Sequence, residues 1–209
     1  MMTTPSGSRP EMMVPQSDIP GLLADRRRRL DQALAAFDAA SADAIAVIDA
    51  IGRTVRTGGR IVTCGNGGSA AEALHLSEEL VGRYRTDRPG IASICLNADP
   101  TALTCIANDF GFDAVFSRQC ESLLGPDDCL VVFTTSGRSE NLRAALDVAI
   151  ARGATRVGFL GGDGGTAAER CDASVIVPGP DSAAIQEVHQ FLMHACCEQF
   201  EPPLETKKP

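Results

Sequence analysis

The sequence predicts an α/β fold in which a doubly wound, five-stranded parallel sheet is flanked by helices. Short apolar runs rich in β-branched residues alternate with longer segments of helical periodicity. The runs rich in Gly, Ser and Thr directly follow strands, where such sheets bind ligands. The predicted strands are 60–64, 91–95, 129–133, 155–160 and 173–177, and the helices between and after them are 69–84, 99–108, 113–123, 139–152, 165–170 and 183–200.

Length and composition indicate one globular domain. The chain has 209 residues, of which 44% are hydrophobic and 22% charged. A net charge of −8, with one isolated basic run at Arg26–Arg29, argues against nucleic-acid binding. No apolar stretch reaches membrane-spanning length and no signal-peptide core is present, so we expect a cytoplasmic protein without a membrane partner. The eight cysteines lack CxxC spacing and are expected to be reduced.

The chain divides into a leader, a domain and a tail. Residues 1–18, rich in Pro, Ser and Met, are predicted to be a disordered leader, and 202–209 a disordered tail. Residues 19–201 form the single domain, with N-terminal helices in 19–58 that break near Ser41 and an α/β core in 59–201. Because the sheet leaves these first helices without an assigned partner, we expect them to serve oligomerisation.

A glycine-rich turn and a polar helix follow the first strand. Gly65–Gly68 lead into Ser69, which is predicted to be the N-cap of the helix. Unpaired backbone N–H groups at a helix N-terminus favour an anion such as phosphate. The turn lacks both the P-loop lysine and the dinucleotide-binding spacing, so nucleotide cofactors are disfavoured. His75 and Glu79 lie one helical turn apart on one face, where they can meet at a substrate or a metal.

A second polar loop, Thr134–Ser139, joins the third strand to its helix. It is either an anion cradle or a hydroxyl-rich N-cap without a ligand, and its pairing with the first turn favours the cradle. The dipeptide Asn108-Asp109 either holds sugar hydroxyls or forms a turn.

The last helix carries Gln186 and His194, eight residues apart, which is about 12 Å along an ideal helix. They therefore reach one ligand only from opposite sides, unless the helix begins after Gln186 or another subunit supplies one of them. Gln190 belongs to a polar stripe that a solvated helix face would also explain. His189 lies off this stripe and is predicted to be structural.

Together, the stretches GNGGSAAEALHLSEELVGRYRTDRPG, LNADPTALTCIANDFGFD, TTSGRSENL and IQEVHQFLMH resemble the sugar isomerase (SIS) domain family, specifically the bacterial phosphoheptose isomerases. The resemblance covers about residues 20–201. It implies a homotetramer with active sites between subunits. It also implies an aldose–ketose isomerase that converts sedoheptulose 7-phosphate to D-glycero-D-manno-heptose 7-phosphate through a cis-enediol.

The resemblance also implies roles for individual residues. Glu79 and His194 match the family's acid–base pair. Some members carry zinc, which implies one Zn²⁺ per subunit on His75, Glu79, Gln186 and His194, a ligand set that zinc accepts. Because a carboxylate bound to zinc is a poor free base, the two roles of Glu79 compete. The implied substrate-binding residues are Asn66, Gly67, Gly68, Ser69, Asn108, Asp109, Thr134, Thr135, Ser136, Ser139 and Gln186.

Two departures from the family pattern keep other functions open. Arg138 replaces an asparagine in the second loop, and Ala184 stands where many relatives have a longer polar residue. The chain is alternatively an isomerase of another sugar phosphate, or a non-catalytic SIS protein such as a DnaA-binding replication regulator or a sugar-phosphate sensor. The regulator lacks the acid–base pair that Glu79 and His194 retain here, which favours the isomerase.

Overall fold

The computed structural model describes residues 18–38 and 41–203. The predicted leader and tail lie outside these residues, except for Asp18 and residues 202–203. The strands are Ile61–Gly65 (β1), Ser93–Cys95 (β2), Cys129–Thr134 (β3), Thr155–Gly161 (β4) and Ala173–Val177 (β5). The helices are Ile19–Asp38 (α1), Ser41–Arg56 (α2), Gly68–Val81 (α3), Pro100–Phe110 (α4), Ser117–Leu123 (α5), Glu140–Arg152 (α6), Gly165–Ala168 (α7) and Ser182–Glu198 (α8), with a 3₁₀ turn at Phe112–Ala114.

The predicted fold class is confirmed, because the strands form one parallel sheet in the order β2-β1-β3-β4-β5. β1 is flanked by β2 on one side and β3 on the other, with Ile61 paired to both Ser93 and Cys129. The chain therefore reverses its direction of winding between β1 and β3. Ligands in doubly wound sheets bind at this switch point, beyond the carboxyl ends of the strands.

Each face of the sheet has its own hydrophobic core. Along β3, Val131 and Phe133 belong to one core, whereas Leu130 and Val132 belong to the other. This alternation follows from the two-residue period of a strand that is buried on both faces. α1, α2, α3 and α8 cover the first face, and α4–α7 cover the second. The helices α3 and α8, which carry the candidate acid–base residues, thus pack side by side on the first face.

The N-terminal helices have partners within the chain, which the sequence prediction did not assign to them. On α2, Val47 and Ile51 are fully buried in the same core as Phe133. α1 packs against α8. The outer side of α1 still exposes Leu22 and Leu23 by more than half. Oligomerisation through these helices stays a prediction that rests on such exposed side chains.

Several element bounds differ from the prediction, mainly where glycine or a turn intervenes. Gly67, with a positive φ of 58°, precedes the first residue of α3, so Ser69 lies inside the first helical turn. The prediction of Ser69 as N-cap is therefore wrong. The predicted helix 113–123 is a 3₁₀ turn followed by α5. Within the described residues, no helix combines enough length and apolar character to cross a membrane.

Candidate active site

A polar pocket of about 90 Å³ lies at the switch point of the sheet. α3, which follows β1, and α6, which follows β3, both begin beside this pocket. The first N–H groups of a helix have no acceptor within that helix, and the helix dipole adds partial positive charge there, so the pocket suits an anion. Its lining comprises Asn66, Ser69, Phe133, Thr134, Thr135, Ser136, Ser139 and Gln186.

The turn between β1 and α3 is held close to the sheet. Asn97, which follows β2, accepts a hydrogen bond from the Gly65 N–H (3.1 Å) and donates one to the Gly65 carbonyl (3.0 Å). A side chain at Gly65 would overlap the carbonyl group of Ser69. Glycine is therefore required here for the helix to start so close to the strand. Ser69, only 3% exposed, faces the pocket from the first turn of α3.

The loop after β3 is shaped by its own hydroxyls. Thr134 Oγ1 accepts hydrogen bonds from the Gly137 N–H (3.1 Å) and the Ser136 N–H (3.4 Å). Gly137 has a positive φ of 65° and lies against the backbone of Gly164 in the loop after β4. Arg138, the departure noted in the sequence, forms an exposed ion pair with Asp163 from that same loop. Its charge is therefore paired rather than directed freely at the pocket.

Asn141 joins the loops after β1 and β3 and was missed by the sequence prediction. Its amide nitrogen donates to Asn66 Oδ1 and its oxygen accepts from Asn66 Nδ2, both at 2.9 Å. Asn141 is 2% exposed, and a buried amide of this kind is costly unless both of its ends are bonded. A polar residue on the buried face of α6 was the available signal.

Three candidate acid–base or metal residues meet between α3 and α8. His75 Nε2 lies 3.2 Å from Glu79 Oε1, and the rings of His75 and His194 meet edge to face with centroids 5.2 Å apart. One potential ligand atom from each of these residues lies within 4.8 Å of the others. The Glu79 side chain is 16% exposed, so its carboxylate is only partly solvated. Two imidazoles and one carboxylate can either transfer protons or hold a cation such as zinc.

Neighbouring side chains hold these three residues in place. The Gln190 amide nitrogen donates to His75 Nδ1 at 2.7 Å, although the sequence suggested only a place on a polar stripe. The ring of Tyr84 lies against that of His194, with centroids 5.7 Å apart, and its hydroxyl donates to Glu198. Burial, and secondarily the negative charge of Glu198, raise the pKa of Tyr84, so it is a neutral hydrogen-bond donor at ordinary pH.

Gln186 lines the polar pocket at the N-terminus of α3. It lies within α8, four residues after its first residue, so the alternative in which the helix begins after Gln186 is excluded. Its amide lies beside Gly68. The structure therefore groups Gln186 with the pocket, and its role as a zinc ligand stays a prediction.

Asn108 and Asp109 lie in the last turn of α4, not between two helices. Their exposed side chains bond to each other, with the Asn108 amide donating to Asp109 Oδ1 at 2.7 Å. Neither lines the polar pocket formed by the described residues. A contact of these residues with the sugar stays a prediction.

The N-terminus of α8 explains how the chain accommodates Ala184. Ala184 is fully buried, and its N–H donates to Asp181, the N-cap residue, at 2.8 Å. This N–H bond, together with the Arg29 guanidinium, holds the pKa of Asp181 below its ordinary value. Asp181 is thus engaged in capping, whereas Ser182 accepts a hydrogen bond from Thr135 at the pocket (3.2 Å).

Comparison with known proteins identifies the family. A family model described as "SIS domain" matches residues 27–161. A protein named phosphoheptose isomerase from Aliarcobacter butzleri is 46% identical over 145 residues, which span 69% of this chain and 77% of that protein. The solved phosphoheptose isomerase of Francisella tularensis superposes with a TM-score of 0.81 at 28% identity, covering 87% of this chain and 97% of that one. Phosphoheptose isomerase GmhA from Neisseria gonorrhoeae gives a TM-score of 0.77 at 34% identity, covering 86% and 98%. The chain therefore belongs to the SIS domain family and, within it, groups with proteins named phosphoheptose isomerases.

Proposed function

We propose that this protein is a phosphoheptose isomerase that interconverts sedoheptulose 7-phosphate and D-glycero-D-manno-heptose 7-phosphate. The observation that carries the proposal is that one helix, α3, presents both halves of the site. Ser69 lines the phosphate pocket, and His75 follows six residues later, about 9 Å along the helix axis. That separation suits an extended sugar phosphate whose phosphate binds at the helix N-terminus and whose reacting carbons lie near His75 and Glu79.

The reaction transfers protons at two adjacent carbons. The Glu79 carboxylate takes a proton from C1 of the ketose while His194, on α8, donates a proton to the C2 carbonyl oxygen, and a cis-enediol forms. A proton is then delivered to C2 and the C1 hydroxyl proton is released, which leaves the aldehyde at C1. The two residues project from different helices, and their candidate atoms lie within 4.8 Å of each other, so they can act on the adjacent carbons C1 and C2. Each positioned proton transfer contributes roughly 10²–10⁴-fold to such a rate.

We further propose a zinc site on His75, Glu79 and His194, with Gln186 as the fourth predicted ligand. The three clustered side chains offer the nitrogen and oxygen ligands that zinc accepts, close enough together to share one ion. When bound, zinc would supply a Lewis acid that stabilises the developing enediolate. His75 and His194 would then hold the ion, and Glu79 would both contact the ion and take up the proton.

A homotetramer with active sites between subunits fits the exposure of the site, and we propose it with a cytoplasmic location. His194 opens onto a groove that it lines with Phe191, Ala195 and Glu198. Phe191 is 55% exposed, an unusual state for a phenylalanine beside a site. A second subunit seated there would cover the groove and enclose the sugar.

The proposed activity is tested by incubating the purified protein with sedoheptulose 7-phosphate in D₂O and following the sugar by NMR. We expect the aldose C1 signal of a heptose 7-phosphate, with deuterium at C2. Other ketose phosphates are assayed in parallel. They test whether Arg138 and Ala184, the two departures from the family pattern, change the substrate preference. If the heptose phosphate binds but is never converted, the non-catalytic sensor becomes the better description.

Zinc is tested by dialysing the active protein against a chelator. We expect the rate of isomerisation to fall, and added Zn²⁺ to restore it, because an ion on His75 and His194 would stabilise the enediolate. Binding of the phosphate end should survive, since that pocket uses hydroxyls and backbone N–H groups. Indifference of the rate to both treatments would remove the metal from the mechanism.

A further inference from the structure

The His75 ring is bonded on both of its nitrogens. Nε2 faces Glu79 Oε1 at 3.2 Å, and Nδ1 receives a hydrogen bond from the Gln190 amide at 2.7 Å. The other end of that amide, Gln190 Oε1, is buried and has no hydrogen-bond partner among the described residues. A buried amide oxygen without a donor is costly, so this end of Gln190 requires an explanation.

The amide of Gln190 has two orientations, and each fixes a different tautomer of His75. With the nitrogen toward the ring, Nδ1 must be an acceptor, and the ring proton lies on Nε2, where it donates to the Glu79 carboxylate. With the oxygen toward the ring, Nδ1 must carry the proton, and Nε2 presents a lone pair. That lone pair is repelled by the Glu79 carboxylate but is what a metal ion requires.

We infer that Gln190 is a positioning residue that sets the tautomer of His75, and that its amide turns over when zinc binds. In the orientation observed, the amide donates to Nδ1, and His75 Nε2–H bonds to Glu79. In the zinc-bound protein Gln190 Oε1 accepts the Nδ1 proton, which leaves Nε2 free to ligate the ion. The inference rests on the zinc site proposed above. It gives one of the ligands, His75, a hydrogen-bond partner that does not itself bind the ion.

The turnover exchanges the two ends of the amide. In the orientation observed, Oε1 has no donor among the described residues, and after the turnover the amide nitrogen takes its place. In the zinc-bound orientation the oxygen gains the His75 N–H as its donor. An outer partner of this kind orients a ligating histidine and raises its basicity, and losing it typically costs about 10–100-fold in metal affinity.

The test compares zinc dissociation constants, measured by competition with a chelating indicator, for the wild type, Gln190→Met and Gln190→Glu. Methionine keeps the length of the side chain but offers the ring no comparable acceptor, so we expect zinc binding at least about tenfold weaker. Glutamate keeps the accepting oxygen, so its affinity should equal or exceed that of the wild type. Gln199→Met is the matched control, because Gln199 bonds Ile48 through its amide at the far end of α8 and should bind zinc like the wild type.

A second readout follows the ring nitrogens of His75 by ¹⁵N NMR. We expect the Nε2–H tautomer without metal and the Nδ1–H tautomer with zinc. If the wild type binds zinc but Gln190→Met binds it equally well, or if Nδ1 already carries the proton without metal, the inference is overturned while the zinc site stands. If the wild type binds no zinc, the proposed zinc site fails, and the turnover of Gln190 fails with it.

Discussion

Glu79→Gln is expected to lower kcat for isomerisation by a factor of roughly 10³, because the amide cannot accept the proton that leaves C1. The substitution keeps the size of the side chain, so the packing of α3 against α8 should not change. In the metal-free protein the His75 N–H would bond to the amide oxygen instead of the carboxylate oxygen. Steady-state kinetics on the heptose phosphate, with unfolding measured in parallel, gives both quantities.

We do not expect this substitution to change the affinity for the phosphate group of the sugar. Ser69 and Thr134 line the polar pocket at the N-terminal end of the same helix, ten residues before Glu79 in the case of Ser69. We therefore expect a phosphorylated but unreactive sugar alcohol to bind Glu79→Gln about as tightly as it binds the wild type. A loss confined to kcat is the pattern of a group that acts in the transition state.

Glu121→Gln provides the matched control. It makes the same chemical change on α5, which covers the other face of the sheet, on a side chain that is 44% exposed and pairs with Arg118. We expect its kcat to stay within about twofold of the wild type, since surface charges away from the reacting atoms have small effects. An active Glu79→Gln enzyme, or equal losses in both variants, would remove Glu79 from the role of base.

The fold was predictable from the sequence because its signals are local. Each strand is a short apolar run, and the predicted runs of β1, β3 and β4 are followed directly by Gly65, Thr134 and Gly161, in the place where a parallel sheet turns into a helix. The elements were therefore found in the correct order, and their parallel arrangement followed from the alternation. Most helix starts were predicted within one residue, and the largest error at a start is at 113–123, which begins with a 3₁₀ turn. Several helix ends differ by two or three residues, as at α3, which was predicted to end at 84 and ends at Val81.

The parts of the site that were missed depend on pairs of residues distant in the sequence. Gln190 contacts His75 from 115 positions away, and Asn141 contacts Asn66 from 75 positions away. Neither residue belongs to a motif whose spacing reveals a partner, because each contact arises from how two helices or two loops pack. The helical spacing of His75 and Glu79, by contrast, reveals their proximity within one turn. Sequence reasoning therefore found the chemistry and missed the side chains that orient it.

Gly137→Ala is expected to disrupt the phosphate loop, with the free energy of unfolding lowered by about 3 kcal/mol. A methyl group at this position would overlap the carbonyl of Gly164 and lie 2.9 Å from the Gly165 nitrogen. Both contacts are with backbone, so no side-chain rotation relieves them. The φ of 65° adds the cost of a left-handed conformation for alanine. The two loops must therefore separate, and thermal or denaturant unfolding would measure the loss.

Separation of the loops should also weaken substrate binding. The Gly137 N–H is bonded to Thr134 Oγ1, so a displaced Gly137 releases a hydroxyl that lines the phosphate pocket. We expect KM for the sugar phosphate to rise at least about tenfold, since a shift of one ångström at a binding site can cost more than that. Gly58→Ala is the control for backbone strain without a steric contact. Gly58 has a positive φ of 84°, but an added methyl group would have open space around it. It should lose only about 1 kcal/mol and keep the wild-type KM. If Gly137→Ala is no worse than Gly58→Ala in either measurement, the contact between the loops after β3 and β4 does not hold the phosphate pocket in shape.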